Sequence, residues 1–565
     1  MKQIWLLIKK VLRAYSLEER VVSIVLAVIF LFFLVRSGVY LFSPESAFAD
    51  SKVYSEGVVS SIPVLLNPLY SDFSQANRDI DSLVFSGLLK YDPKMKGFVD
   101  DLASLQISED KKEYLFKIRD NALWHDGAKV TANDVIFTYG LIQNDQFQNP
   151  LLKANFQGVK IEKVDDMTVK FVLSSPNSFF ITNLNVGILP EHILGGVAIT
   201  DLMNNKFNLQ PVGSGPYKVI SPVDTSDDGR QKVYLGVFND FYAVKPSITQ
   251  VRFKIYPDES TLLKDKASLD VISRVTGNLN ELIYDDRFKT QSYLLPQYTA
   301  VFFNTESNVL KAQKMRIAML KLVDKDDLLK NLVNKIRVDT PLMELDQKQW
   351  VNKPDLNEAN GALFDAGYKF KKDDQGNVLP GEVYRRDKDG KILELNLVAR
   401  QYDPGTDQAL EMSKTVDYLV AAWKKGGIKV NPQYLAEQDY LDAINAKQYD
   451  MILAGQNMGY NLDTFPYWHS SQSKEGGLNL SRFRNLAADQ QIEKIRATFD
   501  KDEKESRQKK LADILNAEVP ALFLYRPSYV FVSDGKVKNI KLDDLSYSSD
   551  RFVNIADWCI GSECK

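Results

Sequence analysis

Stretches with the two-residue period of β-strands alternate along this chain with stretches that have the period of amphipathic α-helices. Val251, Phe253 and Ile255 alternate with more polar neighbours, as in a half-buried strand. Apolar side chains in 409–423 recur at helical spacing, and the Gly-Gly pair that follows leads directly into the strand-like run 428–430. A helix that passes at once into a strand is typical of α/β proteins, so the sequence predicts helices packed on sheets.

The composition is that of a folded globular protein. The chain has 565 residues, of which 44% are hydrophobic and 26% charged, and this length allows several domains or lobes. Lys plus Arg is 71 and Asp plus Glu is 74, so the formal net charge is −3. Because the chain has no basic excess to attract a phosphate backbone, we expect no nucleic-acid partner.

Cysteine and histidine are scarce. Two Cys and three His exclude zinc modules built from these residues alone, Cys-ligated iron–sulfur clusters and dense disulfide scaffolds. The motifs G-x-x-x-x-G-K-[ST], H-E-x-x-H and G-x-S-x-G do not occur in the sequence. We therefore predict no metal site and no cofactor. An enzyme that uses a pair of carboxylates leaves no such motif and stays open.

One strongly apolar segment lies near the N-terminus. Residues 21–35 are almost wholly apolar, and the apolar character resumes at 39–42 after Arg36. A helix over 21–42 would reach about 33 Å, enough to cross a hydrocarbon core of about 30 Å, with Arg36 near one end. The excess of Lys and Arg in the leader 1–20 keeps the N-terminus in the cytoplasm and sends the rest of the chain across the membrane.

This segment has two main interpretations. It is either an uncleaved anchor, followed by a short polar tether over 43–53, or a signal peptide that is cut after Ala47-Phe48-Ala49. We favour the anchor, because the amphipathic leader is long for the start of a signal peptide. A buried core helix at the terminus is a third alternative. The first two interpretations place the large domain outside the cytoplasmic membrane, in the periplasm or at the cell surface.

Several motifs occur in an order that is typical of one family. The most specific are Leu-Trp-His-Asp-Gly at 123–127 and Val-Thr-Ala-Asn-Asp-Val at 130–135. Further matching segments lie at 114–119, 164–169, 188–192, 212–217 and 239–242. In these motifs the chain resembles the extracytoplasmic solute-binding proteins of the peptide and nickel ABC-importer type, called family 5. The resemblance extends over about residues 54 to 558.

The resemblance implies a two-lobed α/β clamp of the periplasmic-binding-protein type, with mixed sheets. Lobe I is expected over 54–300, lobe II over 301–515, and a return to lobe I over 516–565. The implied protein is not an enzyme: it captures oligopeptides or a similar polar solute by lobe closure and delivers them to the permease subunits of an ABC importer. Two other functions stay open: a peptide receptor or chaperone at the cell surface and, less favoured, an anchored hydrolase that uses carboxylates.

The resemblance places ligand-binding residues in the loop 455–465, which follows the apolar strand 451–454. In peptide-binding relatives this loop supplies an acidic residue that pairs with the α-ammonium group of the ligand. Gly459 stands at that position here, and the nearest carboxylate is Asp463. Either Asp463 substitutes for the acid or the ligand carries no ammonium group. The predicted ligand-binding residues are Asn67, Tyr70, Gly455, Asn457, Gly459, Tyr460 and Asp463.

The two cysteines lie close together at the C-terminus. Cys559 and Cys564 are both outside the membrane in the predicted topology, where conditions are oxidising. A local disulfide would close a small loop and stabilise the fold modestly. The sequence leaves a disulfide and two free thiols as alternatives.

Overall fold

The computed structural model describes residues 52–60, 62–275 and 285–561, together with Leu26, Phe30, Leu31, Leu282 and Cys564. The predicted leader 1–20 lies outside the described residues, as do most of the predicted tether 43–53 and all but three residues of the predicted anchor 21–42. In the part of the chain that is described, no helix has both the length and the apolar character needed to cross a membrane.

Strands form the framework of the molecule. Strand β11 contains the alternating run at Val251, Phe253 and Ile255, so this strand prediction is confirmed. Among the described residues the strands are β1 (Val53–Val59), β2 (Leu89–Asp92), β3 (Gly97–Asp100), β4 (Ala103–Ile107), β5 (Glu113–Ile118), β6 (Lys160–Asp165), β7 (Thr168–Val172), β8 (Tyr217–Val219), β9 (Asp224–Thr225), β10 (Gln231–Val237), β11 (Gln250–Tyr256), β12 (Val271–Val275), β13 (Lys289–Leu294), β14 (Gln297–Phe303), β15 (Lys335–Arg337), β16 (Glu394–Arg400), β17 (Lys429–Leu435), β18 (Met451–Asn457), β19 (Ala521–Ser533), β20 (Val537–Lys538) and β21 (Cys559–Ile560).

Helices pack against these strands. The α-helices of the described segments are α1 (Gln75–Val84), α2 (Ala132–Gln143), α3 (Pro150–Asn155), α4 (Glu191–Leu194), α5 (Ile199–Leu202), α6 (Glu259–Lys264), α7 (Gln313–Lys321), α8 (Lys325–Leu329), α9 (Leu356–Asp365), α10 (Asp407–Lys425), α11 (Glu437–Ala446), α12 (Phe465–Trp468), α13 (Leu486–Ala497) and α14 (Lys501–Glu518). Helix α10 covers the stretch 409–423 and confirms its predicted period. Thr406 caps it, because its hydroxyl oxygen accepts a hydrogen bond from the N–H of Ala409 at 3.2 Å.

Thirteen strands of the described chain form one large mixed sheet. Its order is β17-β16-β18-β14-β19-β12-β1-β11-β10-β8, with β13 and β15 also paired to β19, and β9 to β10. The pairs β1–β11 and β16–β17 are parallel, whereas β14–β18 and β10–β11 are antiparallel. A smaller antiparallel sheet has the order β4-β5-β7-β6. The predicted α/β class with mixed sheets is therefore confirmed.

Strand β19 joins two halves of the molecule. Its residues 521–525 pair with β14, and its residues 528–533 pair with β13. The chain also crosses between the halves at 295–296, where β13 ends and β14 begins. We use lobe I for the part that contains β1–β13 and the C-terminal residues, and lobe II for the part that contains β14–β18 with α7–α14; the bounds 54–300, 301–515 and 516–565 stay a prediction. Two narrow strand connections of this kind allow the lobes to rotate against each other.

Each lobe has its own core. In lobe I one buried cluster, which includes Trp124 and Trp558, joins the large sheet to the four-stranded sheet. In lobe II both faces of the sheet are covered. Val301 and Phe303 of β14 belong to the cluster on one face, and Phe302 belongs to the cluster on the other. Successive strand side chains point to opposite faces, so β14 contributes to both cores.

A buried ion network holds the C-terminal segment on lobe I. Arg551 Nη2 lies 2.5 Å from Glu56 Oε1 of β1 and 2.8 Å from Asp79 Oδ2 of α1, and Arg274 Nη1 lies 2.5 Å from the same Asp79 oxygen. Burial alone would raise the pKa of Asp79, but the two guanidinium groups hold that pKa below its ordinary value. The network fixes the segment that brings Tyr547 to the cleft.

A disulfide bond joins the two cysteines near the C-terminus. Cys559 and Cys564 are bonded, with their Cα atoms 5.3 Å apart. Of the two alternatives that the sequence left open, the structure has the disulfide. Cys559 belongs to β21, which pairs with β20, so the bridge lies beside a short strand pair.

Candidate functional site

Two adjoining cavities lie at the cleft, one between the lobes and one within lobe II. The first, here called the interlobe cavity, has a volume of about 170 Å³ and is lined by the 3-10 helix Pro68–Phe73 and α1 of lobe I and by the loop after β18. The second, the lobe II cavity, has about 530 Å³ and lies at the carboxyl ends of β16 and β18. Asn457 and Tyr467 line both cavities. A ligand in the interlobe cavity would touch both lobes, and the adjoining lobe II cavity lies at the kind of sheet edge where α/β proteins bind ligands.

Tyr460 connects the loop after β18 to lobe I. Its hydroxyl donates a hydrogen bond to Asp550, and its ring centroid lies 5.2 Å from that of Tyr91 and 4.8 Å from that of Tyr547. Burial raises the pKa of Asp550 to about 6, although the hydrogen bond from Tyr460 acts to lower it. Tyr460 therefore lines the interlobe cavity and also holds the lobes together.

Gly459 sits directly beneath Tyr547. Its φ is +53°, and a Cβ added to it would overlap the phenol oxygen of Tyr547. A larger residue at this position is disfavoured both by the left-handed backbone and by the ring from the other lobe. The space beside Gly459, the position that the resemblance aligns with the acid of peptide-binding relatives, is thus filled by an aromatic ring from the C-terminal segment.

Asp463 lines the interlobe cavity, but its charge is already paired. Its Oδ2 lies 3.0 Å from Arg496 Nε, and its Oδ1 accepts the N–H of Phe465 at 3.0 Å. Burial raises its pKa, and the nearby Arg496 acts against this rise. In this conformation the carboxylate of Asp463 is therefore paired with groups of lobe II. Its role as a substitute for the missing acid stays a prediction.

Asn67 and Tyr70 lie beneath the cleft surface. Asn67 is fully buried, its Oδ1 accepts the N–H of Leu69 at 3.1 Å, and its Nδ2 donates to Asn208 at 3.0 Å. Tyr70 is buried against Phe73, with ring centroids 5.6 Å apart. Neither lines the two cavities. Contact of either residue with a ligand stays a prediction.

Gly455 and Asn457 face the cavities, and their contact with a ligand stays a prediction. Gly455 lines the lobe II cavity and Asn457 lines both. Other amides also line the interlobe cavity. Asn461 Nδ2 donates to Asn183 Oδ1 at 3.2 Å, across the lobe boundary. Primary amides donate and accept hydrogen bonds, so these side chains can bind the polar backbone of a peptide or a similar solute.

Acidic and basic side chains of lobe I also line the interlobe cavity, and the sequence did not indicate them as site residues. Asp81 of α1 lines the interlobe cavity and is 4% exposed, and Ser71 Oγ donates to its Oδ2 at 2.5 Å. Arg78 and Asp72 line the same cavity and form an ion pair. Asp79 lies two residues from Asp81 but belongs to the buried ion network. No signal in the sequence distinguishes the acid that faces the cleft from the acid that faces the core.

Arg400, also missed, lines the lobe II cavity at the end of β16. Its Nη2 lies 2.8 Å from Glu437 Oε1, its guanidinium carbon lies 4.9 Å from the centroid of the Tyr402 ring, and its side chain is 35% exposed. The other ionic group of this cavity, Glu411, pairs with Lys335 at 2.7 Å. Arg400 therefore presents a partly exposed cation at the end of the cleft. The available signal in the sequence was a basic residue soon after the alternating run Leu393, Leu395 and Leu397.

The three histidines do not form a common site. Burial lowers the pKa of His125 to about 4, although its hydrogen bond to the carbonyl of Gly215 acts to raise it. His192 contacts Asp126 at 2.8 Å, and His469 contacts Ser471 at 2.8 Å. Across the described ranges, no group of three or more His, Cys, Asp or Glu side chains could hold a metal ion.

Comparison with known proteins identifies the family. The sequence profile described as bacterial extracellular solute-binding proteins, family 5 Middle, matches residues 97–477. The chain belongs to this family. The resemblance found in the sequence motifs is therefore confirmed. Family 5 proteins are the binding components of ABC transporters rather than enzymes, and they act outside the cytoplasm.

Relatives of this family 5 protein bind different ligands. It is 26% identical to the oligopeptide-binding protein AppA of Bacillus subtilis over 502 residues, which cover 83% of this chain and 86% of that protein. It resembles NikZ from Campylobacter jejuni in complex with Ni(L-His), with a TM-score of 0.72 and 26% identity over 90% of this chain and 99% of that one. AppA of B. subtilis in complex with a nonapeptide has a TM-score of 0.72 at 23% identity, over 90% of this chain and 99% of that one, and shows the fold.

Proposed function

We propose that this family 5 protein is tethered to the cytoplasmic membrane and captures short peptides or similarly polar solutes between its lobes, for delivery to the permease of an ABC importer. The observation that carries the proposal is the cleft itself. The interlobe cavity is lined from both lobes, and it adjoins the lobe II cavity at Asn457 and Tyr467. A solute held there is enclosed by closure, as a transported ligand requires.

The polar groups of the cleft suit a peptide-like ligand. Carboxyl groups lie in the interlobe cavity, Arg400 lies in the lobe II cavity, and amides such as Asn457 and Asn461 lie between the lobes. Amides satisfy backbone N–H and C=O groups without selecting particular side chains. A dipolar solute would meet opposite charges at its two ends.

Closure would couple binding to delivery. Tyr460, at the wall of the interlobe cavity, contacts Asp550, and outside the cavities Ser178 N donates to the carbonyl of Arg496 at 2.7 Å, so the lobes already touch. Ligand contacts that exist only when the lobes are closed would add to these and shift the population towards the closed form. The crossings at 295–296 and 525–528 are the proposed hinge.

The tether belongs to the same proposal. An apolar helix over 21–42, preceded by the basic leader 1–20 and followed by the polar segment 43–53, would keep the binding domain at the membrane surface. A captured solute would then reach a permease by diffusion in two dimensions. Alkaline extraction of membranes from expressing cells tests this, because an uncleaved anchor stays in the pellet and a cleaved chain does not.

Thermal unfolding of the full-length chain in detergent tests the binding function. A pool of short synthetic peptides is added, and the same total concentration of free amino acids serves as the control. A ligand present at 100 times its dissociation constant adds about 2.7 kcal/mol to the free energy of unfolding. We expect a clear rise of the midpoint with the peptides. An unchanged midpoint at every peptide length would contradict the peptide proposal.

A further inference from the structure

The interlobe cavity contains an acidic side chain that the protein leaves incompletely satisfied. Asp81 lines this cavity and is 4% exposed. Its Oδ2 accepts a hydrogen bond from Ser71, whereas its Oδ1 is buried and has no hydrogen-bond partner among the described residues. Buried polar atoms are nearly always paired in folded proteins. A donor supplied by a ligand would complete the site.

The charged groups around Asp81 do not already neutralise it. Arg78 lies one turn earlier on α1, but it forms an ion pair with Asp72. Across the cavity, Asp463 pairs with Arg496 of lobe II. The cavity therefore has one carboxyl group more than it has guanidinium partners. The remaining titratable side chains that line it are the phenols of Tyr460, Tyr467 and Tyr547.

We propose that Asp81 is the ammonium-binding residue of this protein, and that its unpaired Oδ1 accepts a hydrogen bond from a primary amine of the captured solute. Arg400 lines the adjoining lobe II cavity, so a dipolar solute that spans both cavities can place its amine at Asp81 and its carboxylate at Arg400. The ligand class is then peptides with a free N-terminus, or small solutes with the same pair of groups. This inference rests on the proposed function, because it specifies the group that the captured solute presents.

The protonation of Asp81 adds a property that can be measured. Burial raises its pKa to about 8, although the hydrogen bond from Ser71 and the charge of Arg78 both act to lower it. In the empty protein at neutral pH the carboxyl group is therefore mostly neutral. An ammonium group favours the ionised form, so its binding releases a proton from Asp81. Affinity then rises with pH by up to tenfold per unit until the pKa of the empty site is passed.

Calorimetric titration of the full-length chain tests the assignment. One pool of short peptides is used with free N-termini and again after N-acetylation, in two buffers that differ in ionisation enthalpy, at about pH 6.5 where α-amino groups are protonated. We expect the free peptides to bind at least tenfold more tightly than the acetylated ones and to release close to one proton per ligand. The isosteric substitution Asp81→Asn is expected to abolish both the discrimination and the proton release.

The substitution Asp101→Asn is the matched control. Asp101 is another buried carboxyl group of lobe I, accepts a hydrogen bond from Tyr242 at 2.9 Å and lines neither cavity, so this variant should keep the discrimination. If the wild-type chain binds both pools equally, or if Asp81→Asn still discriminates, the assignment is overturned while the proposed function stands. If the wild-type chain binds neither pool, the proposed peptide function is contradicted. This inference, which rests on that function, is then contradicted too. If Asp81→Asn does not fold, equal binding of the two pools by the wild-type chain still overturns the assignment.

Discussion

The phenol of Tyr547 occupies the space that a side chain on residue 459 would need. Gly459 has a φ of +53°, and a Cβ there would overlap the Tyr547 oxygen. Tyr547 belongs to the C-terminal segment of lobe I, and Gly459 belongs to the loop after β18 in lobe II. The contact between the smallest residue and a large ring therefore sets how closely the two lobes approach at this end of the cleft.

Gly459→Ala should weaken this approach. The new methyl group overlaps the Tyr547 ring and must also adopt a left-handed backbone, so we expect a loss of about 1–3 kcal/mol in the free energy of unfolding. Urea titration measures the loss. On the Tyr547→Ala background, where the steric overlap is absent, Gly459→Ala should cost only the backbone part.

Gly455→Ala is the control for that experiment. Residue 455 also lies on the cleft side of lobe II, but the nearest atom to a Cβ there is the Tyr298 carbonyl oxygen at 3.8 Å, an ordinary contact. We expect a change below about 0.5 kcal/mol. Equal losses for the two glycine variants would show that the contact with Tyr547 is not the cause.

Asp79→Asn should destabilise lobe I strongly. The substitution leaves the guanidinium groups of Arg274 and Arg551 buried with one carboxylate fewer between them, and the loss of one partner from such a network costs about 3–5 kcal/mol. Chemical unfolding of the variant gives the value. Lys96→Gln is the control, because Lys96 and Asp544 form an exposed pair at 2.9 Å and its loss should cost less than about 1 kcal/mol. A similar small loss for Asp79→Asn would contradict this account.

Arg400→Gln should weaken the binding of ligands with a free carboxylate. Arg400 lines the lobe II cavity and is 35% exposed, so it is the cation that a ligand can reach there. A charge-assisted hydrogen bond contributes roughly 1.5–3 kcal/mol, which corresponds to a loss of affinity of about 10-fold to 100-fold. Peptides with amidated C-termini should lose little. The control is Lys429→Gln on the neighbouring strand, whose partner is Glu394. A loss that is the same for free and amidated peptides would indicate a structural effect instead.

The stability of the empty protein should fall with rising pH through the titration of Asp81. An acid whose pKa rises on folding binds more protons in the folded state than in the unfolded state, so the free energy of unfolding decreases as pH rises from about 4 to about 8. Asp81→Asn should flatten this slope and, at about pH 8, should be more stable than the wild-type chain by at least about 1 kcal/mol. Urea midpoints at several pH values measure both. An unchanged slope in the variant would place the titration on another group, of which Asp550 is the first to examine because burial raises its pKa to about 6.

Local patterns predicted much of this molecule. The two-residue period predicted β11, the helical period predicted α10, and the motifs at 123–127 and 130–135 indicated the family. These features depend only on neighbouring residues and on short spacings, which can be read directly from the sequence. The same patterns located the loop after β18, of which Asn457, Tyr460 and Asp463 do line the cleft.

The composition of the site could not be predicted in this way. Asp79 and Asp81 lie two residues apart on one helix, yet one is paired with two buried arginines and the other lines the cavity. Tyr547 meets Gly459 only because β19 returns the chain to lobe I after lobe II is complete. By itself the sequence determined the periodic elements, the family and the loop that lines part of the interlobe cavity. The tertiary structure decided which acid faces the cleft and which ring fills the space above Gly459, because both depend on the packing of segments that are far apart in the chain.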